Sequence, residues 1–218
     1  MLSFGSEAEL VEGVVASIRN AKRRDWKFVL ELDATVGVAD LVLFRRNERT
    51  AHALKGLAKI DPRLAAILDP RVAKNISGFD QFCDLIGSSA STARRHLRVL
   101  QSVDFAVVQS KQLFVKPIVV PPISEIVAIE AKLRNWQSAL SQAYRNRQFA
   151  DQSWVVLDHA HCSPAIKAIE KFELAGVGLV SAARDGCLFV HSLAANNMDF
   201  SMQKRWAAQA ALARRLCE

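Results

Sequence analysis

Three charged residues interrupt runs that are otherwise apolar. In IVAIEAKL, residues 126–133, they are Glu130 and Lys132; in VGVADLVLF, residues 36–44, it is Asp40. Both runs have the character of strands, in which side chains two apart share a face. Glu130 and Lys132 therefore point one way, and Ile129, Ala131 and Leu133 the other. A charge inside an apolar strand is costly unless it is paired or bound to a metal. Two carboxylates meeting at one point can hold Mg²⁺, with Mn²⁺ able to stand in, because such ions prefer oxygen ligands and keep several waters. The ion would polarise a phosphodiester, activate a water and stabilise the leaving oxygen. A neighbouring lysine positions that water, helps to deprotonate it, or neutralises the developing charge. The alternative is an ordinary Glu130–Lys132 ion pair on a sheet edge, with Asp40 at a strand end. Glu31 and Asp33 are a weaker choice of partner carboxylate, since they alternate with apolar residues as a solvated face does.

The elements that must position these residues follow from periodicity. Residues 6–22 read as a helix: Ser6 caps it, Glu9 sits three residues on, and Leu10, Val14, Val15 and Ile18 recur at helical spacing. Residues 26–33 and 38–44 are strands joined by a turn at Gly37. After the polar break at 45–50, short helices run to residue 116, and Pro117, Pro121 and Pro122 mark the return. Residues 125–132 form a strand and 135–150 a helix with Trp136, Leu140, Ala143 and Tyr144 on one stripe. A strand at 153–158 and a helix at 164–174, capped by Ser163 with Pro164 in its first position, come next. Strands at 177–182 and 187–193 and a basic closing helix at 201–216 complete the chain. The expectation is an α/β fold in which residues 1–46 and 123–218 form a mixed sheet flanked by helices, interrupted by a module at 47–122.

That order of elements, together with Asp40 and the triplet Glu130-Ala131-Lys132, resembles the PD-(D/E)XK nuclease superfamily. Ala39 stands where that family often has proline. The resemblance implies a restriction-endonuclease-like core, metal held by Asp40 and Glu130, and Lys132 assisting the water. It also implies an acidic residue from the first helix, for which Glu12 is the first choice and Glu9 the second. A glutamine or basic residue from the helix after the triplet is implied as well, and Gln142 and Arg145 match.

Within the inserted module, residues 78–116 resemble a winged helix-turn-helix. Phe79, Phe82, Cys83 and Ile86 make one apolar face, and Gly87 can end that helix in a left-handed conformation. Ser91 can cap the next helix, in which Leu97 and Leu100 face inward while Thr92, Arg94, Arg95 and Arg98 face out. His96 is a packing or solvent residue. Residues 105–108 and 112–115 alternate as a hairpin with Lys111 at its tip. Arginine reads guanine edges bidentately, and Ser91 and Thr92 suit phosphates, so this helix fits a major groove of double-stranded DNA.

The wider composition agrees. A net charge of +7 favours a polyanionic partner. No apolar run reaches the ~18 residues of a membrane span, the first residues are acidic, unlike a signal peptide, and four scattered cysteines read as reduced thiols. The expectation is a cytoplasmic protein with no membrane partner. Asp158, His159, His161 and Cys162 lack a second ligand pair for zinc. The expected function is a metal-dependent DNA endonuclease targeted by its own winged helix. The alternative is a non-catalytic, sequence-specific DNA-binding regulator that uses a nuclease-like core as a dimerisation or interaction scaffold. A homodimer is a reasonable partner state that the sequence itself does not show.

Overall fold

A computed structural model describes residues 3–20, 25–35, 37–110 and 112–218. In chain order the helices are α1 (Glu7–Asn20), α2 (Leu54–Leu57), α3 (Pro70–Ala73), α4 (Phe79–Ile86), α5 (Ala90–Ser102), α6 (Trp136–Asn146), α7 (Ser163–Ile166), α8 (Ile169–Ala175) and α9 (Met202–Cys217). The strands are β1 (Trp26–Asp33), β2 (Val38–Arg46), β3 (Ala106–Gln109), β4 (Gln112–Val115), β5 (Ile123–Lys132), β6 (Gln152–Asp158), β7 (Gly178–Ala182) and β8 (Leu188–Ser192). They form two compact units, Met1–Arg46 with Glu125–Ser201, and Asn47–Ser124 with Met202–Glu218. Among the described residues no helix is long and apolar enough to cross a membrane.

The first unit is α/β, built on a mixed sheet of order β1-β2-β5-β6-β7-β8. The hairpin β1–β2 and the pair β7–β8 are antiparallel, while β5, β6 and β7 run parallel. Parallel central strands are covered on both faces, which is why they read as nearly continuous apolar runs. On one face, Leu10, Val14 and Val15 of α1 pack on Leu41, Ile129, Ala131, Val156 and Val180. On the other, Ala139 and Ala143 of α6 and Phe172 of α8 pack on Val155, Leu157 and Leu179. Ser6 caps α1, accepting from Glu9 N–H at 3.1 Å, and Glu9 Oε2 in turn accepts from Gly5 N–H, one residue before the cap, at 2.6 Å. Gly178 lies opposite Trp154 in the β6–β7 register, and any Cβ there would run into the indole ring.

Three local expectations change. Tyr144 is exposed and does not share the buried stripe of α6, where Ala139, Ala143 and Asn146 are the buried residues. The helix expected at 164–174 is two helices, α7 and α8, broken near Ala168 (φ −109°, ψ 24°). Ser163 is the first residue of α7 rather than its cap, and the residue before it, Cys162, makes no capping bond.

The second unit holds α2 to α5, the β3–β4 hairpin and α9. The sequence assigns the closing helix to the sheet; in the structure it belongs here. Its alanines permit close packing, and Trp206, Ala207, Ala208, Ala210 and Leu212 are buried. Polar side chains fasten it. Gln209 Oε1 accepts from Ile123 N–H at 2.9 Å while its Nε2 donates to Ile123 O at 2.7 Å. Trp206 Nε1 donates to Asp69 Oδ2 at 3.0 Å, and Arg214 donates to Ile60 O at 3.1 Å. Each of these satisfies a group that burial would otherwise strand.

Candidate active site

Strands β2 and β5 are neighbours, and this brings Asp40 and Glu130 together although the whole 47–122 segment separates them in sequence. Asp40 Oδ2 accepts the backbone N–H of Ala131 at 2.8 Å. Lys132 Nζ donates to Asp40 Oδ2 at 3.3 Å and to Glu7 Oε2 at 3.1 Å. The Glu130–Lys132 ion pair weighed from the sequence is therefore replaced by a Lys132 shared between Asp40 and Glu7. The hairpin is irregular at this point. Its partners run from Trp26–Arg45 to Leu30–Leu41 and resume at Leu32–Ala39, and Glu31 between them has a φ of 51°. Left-handed conformation at a non-glycine residue opposite Asp40 is the kind of local strain that concentrates at functional sites. Glu31 and Asp33 themselves face solvent.

Glu130 is fully buried on a central strand. Oε1 accepts from Asn146 Nδ2 at 2.6 Å, whereas Oε2 has no hydrogen-bond donor. Burial first, and the Asp40 charge second, push its pKa up to about 7; the Asn146 bond and Lys132 pull the other way. The Asp40 carboxylate is close enough for its charge to act on Glu130. Two acceptors so placed are reconciled by a shared proton or by a cation. Burial pulls Lys132 down, but the Glu7 bond and the Asp40 charge outweigh it and raise its pKa. Lys132 thus stays an ammonium at neutral pH, suited to neutralising negative charge rather than to removing a proton.

The remaining expected residues divide. Gln142 precedes Asn146 by one turn of α6, and its buried Oε1 also lacks a donor. Arg145 is exposed and bonded to Ser141 at 3.3 Å. Glu12 is exposed and none of the site's hydrogen bonds reaches it; the first-helix carboxylate at the site is Glu7. Glu9 is occupied by Arg184 and by the cap of α1. Glu7 opens α1 close to the strand ends, whereas Glu12 lies further along and on another face. Sequence reasoning missed both Glu7 and Asn146. The i, i+4 spacing of Gln142 and Asn146 was the available signal for Asn146. Among the described residues no group of three or more His, Cys, Asp or Glu side chains is placed to hold a metal ion. The described carboxylates that could hold a cation at this point are those of Asp40 and Glu130 alone. Their fit to a hard cation rests on the buried, donor-free Glu130 Oε2, with water completing the shell as Mg²⁺ prefers.

In the second unit, α4 ends at Gly87 in the left-handed conformation (φ 57°, ψ 38°). Helix α5 begins at Ala90, and its cap is Ser89, which accepts from Thr92 N–H at 3.4 Å. Ser91, expected in that role, lies inside the first turn and is exposed. Leu100 is buried and Leu97 half-buried, while Arg94, Arg95 and Arg98 are exposed and Thr92 and His96 half-buried. The Arg94 guanidinium lies 5.5 Å from the centre of the Phe79 ring. Strands β3 and β4 pair from Ala106–Val115 to Gln109–Gln112, and Lys111 lies outside the described residues.

The histidine-rich turn after β6 holds no metal cluster among the described residues. Asp158 accepts from Ser3 Oγ, from Phe4 N–H at 3.1 Å and from Ala160 N–H at 3.0 Å. His159 and His191 each bond the buried Ser181 hydroxyl at 2.8 Å.

Comparison of the chain with protein-family models, with curated proteins and with solved structures finds no match.

Proposed function

We propose that the chain is a metal-dependent endonuclease acting on duplex DNA, with a PD-(D/E)XK-like core in its first unit and a winged helix-turn-helix in its second. One observation carries the reading: Asp40 and Glu130 meet on adjacent strands beside a charged Lys132, and one Glu130 oxygen is buried without a donor. Asp40 and Glu130 would hold Mg²⁺ or Mn²⁺, which supplies Lewis-acid activation of the phosphodiester and its attacking water. Lys132 offsets charge building up on the phosphate. Asn146 fixes the Glu130 carboxyl through Oε1 and leaves Oε2 without a donor. Glu7 and Asp40 together hold Lys132 in place.

Helix α5 supports the DNA part of the reading. It presents Arg94, Arg95 and Arg98 and carries no acidic residue. Its N-terminal turn offers Ser91 and Thr92 beside helix N–H groups, which favour phosphate.

A second reading, a DNA-binding regulator without catalysis, is favoured by one specific feature. Lys132 already balances Asp40 and Glu7 in ion pairs at 3.3 and 3.1 Å, so much of the cluster's charge is met by the protein itself. The two separate in a cleavage assay on linear, supercoiled and single-stranded DNA with Mg²⁺, Mn²⁺ or EDTA. Metal-dependent nicking that Lys132→Ala abolishes supports the nuclease. Retained duplex binding with no cleavage under any condition rejects it in favour of the regulator.

A further inference from the structure

The candidate site of the first unit is short of positive charge. Lys132 is shared by Glu7 and Asp40, so the cluster is net negative even with Glu130 protonated. A phosphate backbone drawing near it is repelled unless cations stand close by in the same unit. The hairpin that carries Asp40 supplies them. Trp26 and Phe28 of β1 are half-buried on the face packed against α1. The guanidinium of Arg19, in the last turn of α1, lies 4.8 Å from the centre of the Phe28 ring, and that of Arg45 on β2 lies 5.9 Å from the Trp26 ring. Trp26 and Arg45 are cross-strand partners. Alternate residues of a strand share a face, so the two ring-bearing positions are about 7 Å apart on one side of the hairpin. In sequence, residues 19–27 hold five Lys or Arg against one Asp, and Arg46 follows Arg45, so much of the net charge of +7 is concentrated in this part of the chain.

We propose that Arg19 and Arg45, held over Phe28 and Trp26, form a docking face for the phosphate backbone of duplex DNA. The inference rests on the DNA reading above and not on the metal site. A guanidinium presents its N–H donors as a planar fork that matches phosphate bidentately. The ring beneath each one attracts the cation and restrains a long side chain, so less order has to be created on binding. Arg45 already meets Glu125 at 3.5 Å, but the two side chains are 47 % and 34 % exposed, and an ion pair so open to water contributes little against a polyanion. An anionic membrane is the poorer fit, because rings half-buried beneath guanidinium groups offer no free apolar face to insert into lipid. Arg45 lies five residues from Asp40 on β2, about 17 Å along the strand. That is well within one ~34 Å turn of a duplex, so the face holds DNA beside the candidate cut point rather than at it. Contacts to phosphate position a duplex without reading its sequence. The face therefore serves any sequence, and base reading is left to α5.

The test measures binding of the full chain to two duplexes of unrelated sequence over a salt series. It compares the wild type, the double variant Arg19→Gln with Arg45→Gln, and the control Lys167→Gln, which removes an exposed charge elsewhere in the same unit. The double variant should lower the magnitude of the log–log salt slope by about 1.8, which is about 0.9 for each phosphate no longer neutralised, and equally on both duplexes. The control should leave the slope unchanged. Hydrogen exchange on the wild type gives a second measure that needs no variant to fold: amides of Trp26–Phe28 should slow when duplex is added. A double variant with the wild-type slope, beside α5 variants whose slope falls, would overturn this inference alone. A wild type that binds no duplex would overturn the DNA reading with it. Equal losses in the double variant and the control, a loss confined to one sequence, or exchange at Trp26–Phe28 indifferent to duplex would each overturn the inference as well. So would a double variant that loses binding to single-stranded DNA or to anionic vesicles while its duplex binding is intact.

Discussion

Asp69 and Glu130 are both buried carboxyl groups, one in each unit, and their surroundings treat them in opposite ways. Asp69 accepts Arg71 N–H at 2.9 Å, Arg71 Nε at 2.9 Å, Arg71 Nη2 at 3.0 Å and Trp206 Nε1 at 3.0 Å. The Arg71 bonds, against an opposing effect of burial, hold its pKa down to about 2. Glu130 receives one donor, faces a second carboxylate and rises to about 7. A buried carboxylate with every lone pair answered acts as a fastener, here between α3 and α9. One left half-answered costs stability, and persists where a proton or a cation completes it.

The largest effect that would sharpen this contrast lies in cleavage. Glu130→Gln should reduce metal-dependent nicking by about 100-fold or more, the scale of losing a group that stabilises developing charge, while the protein stays folded. Normal cleavage in this variant would remove Glu130 from the chemistry. Asp69→Ala should do the converse. It strips α3 of its cap and leaves the Trp206 N–H buried without an acceptor, so chemical denaturation should show destabilisation of about 2–4 kcal/mol. A value below about 0.5 kcal/mol, within the range of ordinary surface substitutions, would break the contrast from that side.

The pH dependence of stability should differ in sign between the two groups. Glu130 has a folded pKa near 7 against an ordinary 4.5, so the folded state keeps its proton to higher pH. Its favourable contribution is complete below about 4.5 and is lost as pH rises through about 7. Without divalent cation, Glu130→Gln should therefore be more stable than wild type at pH 8, by at most about 3 kcal/mol, and the two should converge near pH 4.5. Asp69 has a folded pKa near 2 against 3.8, so its contribution is present above 3.8 and lost as pH falls through about 2. Thermal melts of wild type, Glu130→Gln and Asp69→Asn across pH 2–9 check both windows. The smallest effect is expected on α5. Replacing Arg94, Arg95 or Arg98 singly by Ala should weaken duplex binding and lower the magnitude of the salt slope by about 0.9 for each phosphate that the variant no longer neutralises. An unchanged slope in all three variants would take α5 off the DNA.

The pattern of elements was legible in particular residues. Alternation and β-branched runs located β1, β2, β5, β6 and β7 to within a few residues, because burial on a pleated surface leaves a local signature. Gly87 announced the end of α4 because few other residues accept a left-handed backbone. Errors came where local signals compete. Ser91 and Ser89 are equally good caps by type, and only the path of the chain selects Ser89. Ser163 before Pro164 has the form of a cap, yet the preceding turn already commits the backbone to helix. Glu7, Glu9 and Glu12 all lie on α1, and which of them meets Lys132 depends on how that helix sits on the sheet. Asn146 carried no charge to draw attention, although its amide donates to the Glu130 carboxyl.

The sequence by itself determined the α/β character, the interruption of the first unit, and the presence of Asp40, Glu130 and Lys132 in apolar strands, since each is written in residues close together along the chain. Tertiary structure alone decided that β2 lies beside β5, that Lys132 is shared by Asp40 and Glu7, that α9 packs with the second unit, and that Asp69 is satisfied where Glu130 is not. These depend on which distant segments meet. The charge state of a buried carboxyl is set by the donors and charges around it in space, and their neighbours in sequence do not specify them.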